Sequence, residues 1–482
     1  MRATFFGFEA ARKALMVSQR ALDVTGQNVS NVNTEGYTRQ RVDITSLSLD
    51  SGAARYARAK GDSVGQGADI KGIQQIRDQF IDVRYRKESA ELGKLSVRLS
   101  VLTDIENVLD EISTNGLNDR LNDFYNKLQD FSLNAETVEF ASIFRSSAQK
   151  VTEVLNQYSL SLKDIKEQQV FYAKTDIDDI NRTIKKIADL NFEIKGDYSH
   201  GHSPNELLDE RNLMLDKLSG LIGADYELKP DGEVSVKLNG TYLIDSDKNN
   251  KISTLSLEAS DYPVSVMLNG KQEIQISSGS IAGYLEGLNG KGIYASADED
   301  STRGIAYFQQ AIDDLAKAFA DNFNSINDPS GENLLFIGDE NGNITAESIR
   351  LSDEWLNDAQ FITESDFSSE DGNNQNLLKM LDSMNSKQSI TPYFRGTFEE
   401  FAVSLIGDIG IETEYTQDMK NASEFVLTTI YNQRESIMGV SIDEEAINMV
   451  KYQKAYNAAA RIMTAMDEML EVLINRTGIV GR

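Results

Sequence analysis

FEAARKALMVSQRALDVTGQNVSNV (8–32) and IDEEAINMVKYQKAYNAAARIMTAMDEMLEVL (442–473) carry the same stripe at opposite ends of a 482-residue chain. In the first, Phe8, Ala11, Leu15, Ser18, Leu22, Thr25, Val29 and Val32 advance by alternating three and four residues. In the second, Ile442, Met449, Tyr452, Tyr456, Ala459, Met463, Met466, Leu470 and Leu473 keep the same heptad phase. That spacing lays one narrow seam along a helix, and such a seam asks for a partner helix. Two of them at opposite termini pair most simply with each other and with copies from other molecules. The pattern predicts paired terminal coiled-coil helices in a chain built to assemble.

Working inward, the first stripe exits through Asn28, Ser30, Asn31, Asn33, Thr34 and Gly36, residues that cap helices and tolerate left-handed backbone. Residues 37–76 read as irregular or short β structure, with Gly52, Gly61, Gly65, Gly67 and Gly72 marking turns. From about 77 to 222 the chain is helical. Leu92, Leu95, Leu99, Leu102, Leu109 and Ile112 form one seam, and Ile177, Ile180, Ile184, Ile187, Leu190 and Ile194 form another. A 25-residue seam is roughly 40 Å long, which suits an elongated bundle. Ser203-Pro204 reads as a cap followed by a first-turn proline, opening a helix to about Leu221.

After Gly223 the period changes to two, as in Glu233-Val234-Ser235-Val236-Lys237-Leu238. Pro230-Asp231-Gly232, Asn239-Gly240 and Asn269-Gly270 supply hairpin signals. Helical pattern returns at 301–327 through Ile305, Phe308, Ile312, Leu315, Phe319 and Phe323, and again at 374–386 and 397–438. The Asn-, Gly- and Asp-rich stretch 328–372 reads as loop-dominated. Ser441 with Glu444 three residues on suggests a capping box at the start of the last helix. The expected fold is mainly α with an inserted β domain, an α+β multidomain chain. Its nested parts are a terminal coiled-coil core of 1–36 with 441–482, an elongated helical body of 37–223 with 283–440, and a small β domain of 224–282.

Charge and chemistry narrow the function. The chain has 48 Lys and Arg against 76 Asp and Glu, a formal charge of −28, which argues against nucleic acid. Residues 1–60 hold nine basic and five acidic side chains, and 440–482 hold five and six, so the acid load lies between the termini. An acidic middle keeps a chain soluble while near-neutral ends pack closely. There are no cysteines, hence no disulfide and no thiolate site. No run of about 18 apolar residues is long enough for a membrane span, and the amino terminus lacks the h-region of a cleaved signal. His200 and His202 offer two potential metal ligands where a site needs three or four, and they read as a solvated turn. Asp245, Asp247 and Asn249 begin like a calcium loop. Asn250 and Ser256 then stand where Gly and Glu are required, so a hairpin turn is the better reading. No phosphate loop, dinucleotide fingerprint or nucleophile elbow appears. The methionines Met449, Met463, Met466 and Met469 suit adaptable packing in a seam. The residues therefore predict no enzyme, no cofactor and no metal.

The run Asn28-Val29-Ser30-Asn31-Val32-Asn33-Thr34-Glu35-Gly36-Tyr37-Thr38-Arg39-Gln40, after Ala21-Leu22-Asp23-Val24-Thr25-Gly26, resembles the amino-terminal signature of the flagellar rod, hook and hook-associated proteins. Gly439-Val440-Ser441-Ile442-Asp443-Glu444-Glu445-Ala446 and Tyr452-Gln453-Lys454-Ala455-Tyr456 are similar to the carboxyl-terminal helix of that superfamily. Three further stretches resemble the hook-associated junction proteins in particular. They are Tyr37-Thr38-Arg39-Gln40, then Gly65-Gln66-Gly67-Ala68-Asp69-Ile70 leading to Arg77-Asp78-Gln79-Phe80, and Asp371-Gly372-Asn373-Asn374. The resemblance implies a secreted structural subunit exported by the flagellar type III route and polymerising at the distal end of the hook.

The implied partners are copies of itself, the hook protein, a second junction protein, and a cytosolic export chaperone at the C-terminal helix, with no nucleic acid and no membrane. The implied assembly surface is Phe8, Leu15, Leu22, Val29, Ile442, Met449, Tyr452, Tyr456, Met463, Met466, Leu470 and Leu473. Asn28, Asn31, Asn33, Gly36 and Tyr37 form the signature turn. Terminal helices without partners are expected to be largely disordered in the monomer. Alternatives at this stage are another axial protein of the hook or second junction, a soluble helical scaffold or signalling protein, and a secreted hydrolase built on the β domain.

Overall fold

The computed structural model describes residues 5–46, 67–109, 116–201, 203–260, 262–296, 301–329, 331–362 and 374–476, the side chains of 5, 6, 473 and 476 excepted. Gly52, Gly61, Gly65, Gln66, Ile112, His202, Asp371, Gly372 and Asn373, the seam side chain of Leu473 and the residues past 476 lie outside the described residues.

The two predicted terminal stripes are helices, α1 (Phe5–Ser30) and α11 (Ile442–Arg476), and they pack on each other. Between them a hairpin of β1 (Gln40–Ser46) and β2 (Ala68–Gln75) pairs antiparallel with one register shift. The body follows as α2 (Gln79–Leu109), α3 (Leu117–Leu133), α4 (Val138–Ser199) and α5 (Asn205–Leu221). Helix α4 has 62 residues, a rod of roughly 93 Å at about 1.5 Å per residue. It is the spine shared by two cores. Its first half gives Phe144, Val151, Leu155 and Leu162 to one, and its second half gives Ile177, Ile180, Ile184 and Ile187 to the other.

The second core is where the period-two segment goes. Strands β3 (Asp225–Leu228), β4 (Val234–Leu238), β5 (Thr241–Asp245) and β6 (Lys251–Ile252) form an antiparallel meander. Strands β7 (Leu255–Glu258), β8 (Ser265–Leu268) and β9 (Gln272–Ile274) form a second. At Asn239-Gly240 and Asn269-Gly270 all four residues have φ between +47° and +79°, as the tight hairpin turn demands. Asp245 to Asn249 pass through a short 3-10 turn between β5 and β6, the hairpin connection expected in place of a calcium loop. Val236, Leu243, Ile244 and Val266 are buried against α4, α5 and α6 (Ser280–Asn289). Helix α6 crosses α2 closely, because a Cβ on Gly283 would stand 2.5 Å from the Lys94 carbonyl oxygen.

The first core is aromatic. Phe124 lies 4.9–5.3 Å, ring to ring, from Phe144, Phe319 and Phe323, which join α3 and α4 to α7 (Ile305–Asn327). Helix α9 (Gln375–Asn385), the hairpin β12 (Gln388–Thr391) and β13 (Phe394–Gly396), and α10 (Phe398–Met438) complete it. Helix α10 begins with a true capping box, Thr397 with Glu400.

Three local expectations need correction. The 328–372 stretch is not loop-dominated where it is described. Strands β10 (Phe336–Ile337) and β11 (Arg350–Leu351) pair, and α8 (Asp353–Asn357) and a 3-10 turn (Ala359–Phe361) follow. Its buried apolar residues are anchors without a period: Phe336 and Trp355 are fully buried, 5.6 Å apart and edge to face. The abundant Asn and Asp close its turns, as when the Asp339 carboxylate accepts from the Asn341 and Asn343 amides. Pro204 stands at the cap of α5 rather than in its first turn. The expected capping box at Ser441 is half made: the Glu444 amide donates to Ser441 Oγ at 3.4 Å, while the Glu444 carboxylate is held by Arg39 at 2.7 Å.

Candidate assembly interface

Helix α1 is gripped from two sides. Ala11, Ser18 and Thr25 of its stripe are buried, and Phe8, Leu15, Leu22, Val29 and Val32 are half-buried. The Ser18 and Thr25 hydroxyls donate to the carbonyls of Ala14 and Ala21, so a polar atom in the seam needs no outside partner. A second face, Val17, Ala21, Val24 and Asn28, is also buried, and Ala21 and Val24 pack on Val42, Ile70 and Ile73 of the hairpin. Tyr452 of α11 joins the same small cluster.

On α11 the seam is only partly covered. Ala459 is buried, and Tyr452, Met463, Met466 and Leu470 are half-buried. Near Met466 the helices come so close that a Cβ on Gly7 would collide with the methionine's methyl end. Tyr456, Met449 and Ile442 stay exposed along one flank at 37%, 40% and 56%. A further stripe, not recognised from the sequence, is more open still. Ile447, Val450, Ile462, Met469 and Val472 are 47–69% exposed. With Ala458 and Ala465 they repeat at three- and four-residue steps on either side of Lys454, which interrupts the stripe after Val450, about a third of a turn around the helix from the covered seam. Exposed apolar surface of this kind marks a site of association.

The signature turn ties the paired helices to the body. Asn28 is 1% exposed; its Nδ2 donates to the Gln40 carbonyl, and its Oδ1 accepts from the Gln40 amide and the Tyr37 hydroxyl at 3.0 and 2.9 Å. Burial pushes the Tyr37 hydroxyl up to about 12. Asn31 donates to the Gln27 carbonyl and accepts from Thr34 Oγ1, which folds the exit of α1. Asn33 is exposed. Gly36 has φ +80°, and a Cβ there would meet Leu213 of α5 at 3.3 Å. Arg39 then reaches across to the other terminus, pairing with Glu444 at 2.7 Å and Glu445 at 2.8 Å, while its amide donates to the Met438 carbonyl at 2.9 Å.

Beneath the turn lies a polar hub that sequence reasoning missed. Asp209 of α5 accepts from the Thr38 amide at 3.2 Å and from Gln75 Nε2 at 2.8 Å, and burial raises its carboxyl to about 6. Arg77 pairs with Asp82, Arg86 with Asp216, and Arg434 bridges both carboxylates at 3.1 and 2.7 Å. The hub therefore joins α2, α5 and α10 where the terminal unit meets the body. Arg39, Gln40 and Arg77 stood inside the resemblance strings; Asp82, Asp209, Asp216 and Arg434 carried no sequence signal. Among the described residues no group of three or more His, Asp or Glu is arranged to hold a metal, and no helix is long and apolar enough to cross a membrane.

Comparison with known proteins agrees with this architecture. The family model described as the flagellar hook-associated protein FlgK helical domain matches residues 102–331. The models for the flagella basal body rod protein and for the flagellar basal body rod FlgEFG protein C-terminal match 8–38 and 433–476, the two paired helices. The solved structure of the flagellar hook junction protein FlgK from Burkholderia pseudomallei superposes with a TM-score of 0.62, covering 74% of this chain and all of that one. At 13% identity it speaks to the fold alone. Flagellar hook-associated protein 1 of Escherichia coli K12 is 24% identical over 96% of this chain and 98% of its own length. That of Bacillus subtilis strain 168 is 30% identical over the whole of both chains, so this chain belongs to the flagellar hook-associated protein 1 family.

Proposed function

We propose that this chain is a structural, non-catalytic subunit of the bacterial flagellum that adds to the distal end of the hook and forms the hook–filament junction. The observation that carries the reading is α11: α1 covers one of its apolar stripes, and the second, from Ile447 to Val472, stays exposed among the described residues. A subunit whose terminal helix is completed by its neighbours has a reason to keep that face open.

In this reading the parts divide as 1–36 with 441–482, 37–223 with 283–440, and 224–282. Phe8, Leu15, Leu22, Val29, Tyr452, Met463, Met466 and Leu470 close the pair within one subunit. Ile442, Met449 and Tyr456, on the uncovered flank, join the open stripe in contacts between subunits. Of the signature turn Asn28, Asn31, Asn33, Gly36 and Tyr37, all but the exposed Asn33 fix the angle between the pair and the body. The partners are copies of itself in a ring or helical layer, the hook protein below, a second junction protein above, and an export chaperone that shields the C-terminal helix in the cytosol. The chain leaves by the flagellar export route.

Purified protein added to filamentless hooks tests this. Electron microscopy should show an added layer at the hook tip; bare tips at saturating protein would refute the assignment.

A further inference from the structure

A cavity of about 680 Å³ opens where β2, α2, the end of α4, α5 and the β3–β4 hairpin meet, below the signature turn. Its charges run against those of the chain. Arg77, Arg86, Arg211 and Lys229 line it with Asp82 as the one carboxylate among the described lining residues, in a protein of net charge −28. Arg77 and Arg86 are balanced by Asp82 and Asp216, and Lys229 at the rim by Glu227 and Asp247.

Arg211 is different. It is 2% exposed, its guanidinium bonds only neutral acceptors, Asn191 Oδ1 and the Gly232 carbonyl, and its Nε has no partner among the described residues. The carboxylate that acts on it, Glu233, is already held by Lys195 and Asn250 at 2.7 Å each. Burial lowers the Arg211 pKa to about 10, leaving it charged at neutral pH. A buried cation without a counter-charge is costly, and a cluster of guanidinium groups suits planar or tetrahedral oxyanions.

We propose that this cavity binds one small oxyanion, inorganic phosphate or a compact di- or tricarboxylate, which supplies the counter-charge that Arg211 lacks. The bound anion would neutralise cations from α2, α5 and the hairpin together, and so hold the β meander, the body and the terminal hairpin in one arrangement. Nothing in the assembly reading requires this site.

The test is calorimetric titration of the full chain with phosphate, and separately with citrate, at constant ionic strength in chloride. One saturable site per chain is expected for at least one of them. Arg211→Gln should weaken it about tenfold or more, the scale of one lost charge-assisted hydrogen bond. Lys163→Gln, at an exposed pair on α4 remote from the cavity, should leave it unchanged. Absence of saturable binding, or equal binding by Arg211→Gln, overturns the proposal.

Because Arg211→Gln also removes a bond to the hairpin, the wild-type chain provides an independent reading. Crystals soaked in selenate should show anomalous density within the cavity, and density confined to surface lysines would overturn the site. Thermal melts discriminate further: a midpoint rise that follows the logarithm of phosphate concentration from the low millimolar range, and that Arg211→Gln diminishes, supports the site. A rise that grows linearly and equally in wild type and Arg211→Gln is the generic effect of an excluded salt and counts against it.

Discussion

Replacing Asn28 by Ala removes the side chain that joins the end of α1 to β1. Three hydrogen bonds go at once: Nδ2 to the Gln40 carbonyl, and the Gln40 amide and Tyr37 hydroxyl to Oδ1, at 2.9–3.0 Å. Gln40 is 4% exposed, so its amide and carbonyl cannot turn to water, whereas Tyr37 is half-buried and its hydroxyl can. Two orphaned backbone groups at about 1–3 kcal/mol each, less some relaxation, give a loss of about 2–4 kcal/mol. That is large for a unit whose own buried apolar cluster is Ala21, Val24 and Val42. Hydrogen exchange at the Gln40 amide reads it directly. At 1.4 kcal/mol per factor of ten, the amide should exchange roughly 30- to 700-fold faster, with little change in the amides of α4. Asn33→Ala, on an exposed side chain, should leave exchange unaltered. Exchange at Gln40 within threefold of wild type in Asn28→Ala would refute the assignment of this asparagine as the tie between helix and hairpin.

Asp209 titrates near 6 in the folded chain against 3.8 unfolded, so its contribution to stability is complete below about pH 4 and is lost as pH rises through 6. Asp209→Asn should therefore raise the free energy of unfolding at pH 7.5 by roughly 1–2 kcal/mol, allowing for solvent screening, and the gain should shrink to nothing by pH 4. Trp355→Ala should cost about 3–5 kcal/mol in a denaturant titration. Trp355→Phe should cost far less, because the buried indole N–H has no acceptor among the described residues. Ile462→Glu and Met469→Glu, on the open stripe of α11, should leave monomer stability within about 0.5 kcal/mol and abolish addition to hooks in a tip-labelling assay.

Periodic segments were legible in the sequence because their residues share one local rule. Ile177 to Ile194 repeat at helical spacing, and all six are buried on α4. Asn239-Gly240 and Asn269-Gly270 announce their hairpins through the only backbone geometry that closes them. The 328–372 stretch was illegible because its order comes from anchors such as Phe336 and Trp355 that follow no single period and are interleaved with turn residues.

The terminal pairing was legible, but the division of α11 into a covered and an open stripe was not. Heptad phase shows that a partner exists without showing which flank one neighbour reaches. The hub was invisible for another reason. Arg86 and Asp216 lie 130 residues apart, and Arg39 and Glu445 lie 406 apart. In a chain that is one-quarter charged, no local pattern separates such pairs from solvated ones.

The central claim is that the two termini complete an assembly and are not required to fold the body. Both large cores lie within residues 101–409, clear of α1 and α11. The direct measurement is circular dichroism and calorimetry on the chain lacking 1–33 and 443–482, paired with its binding to hook tips. The account predicts a monomer with a cooperative transition and no tip binding. A truncated chain that is unfolded throughout, or one that still adds to hooks, would contradict it.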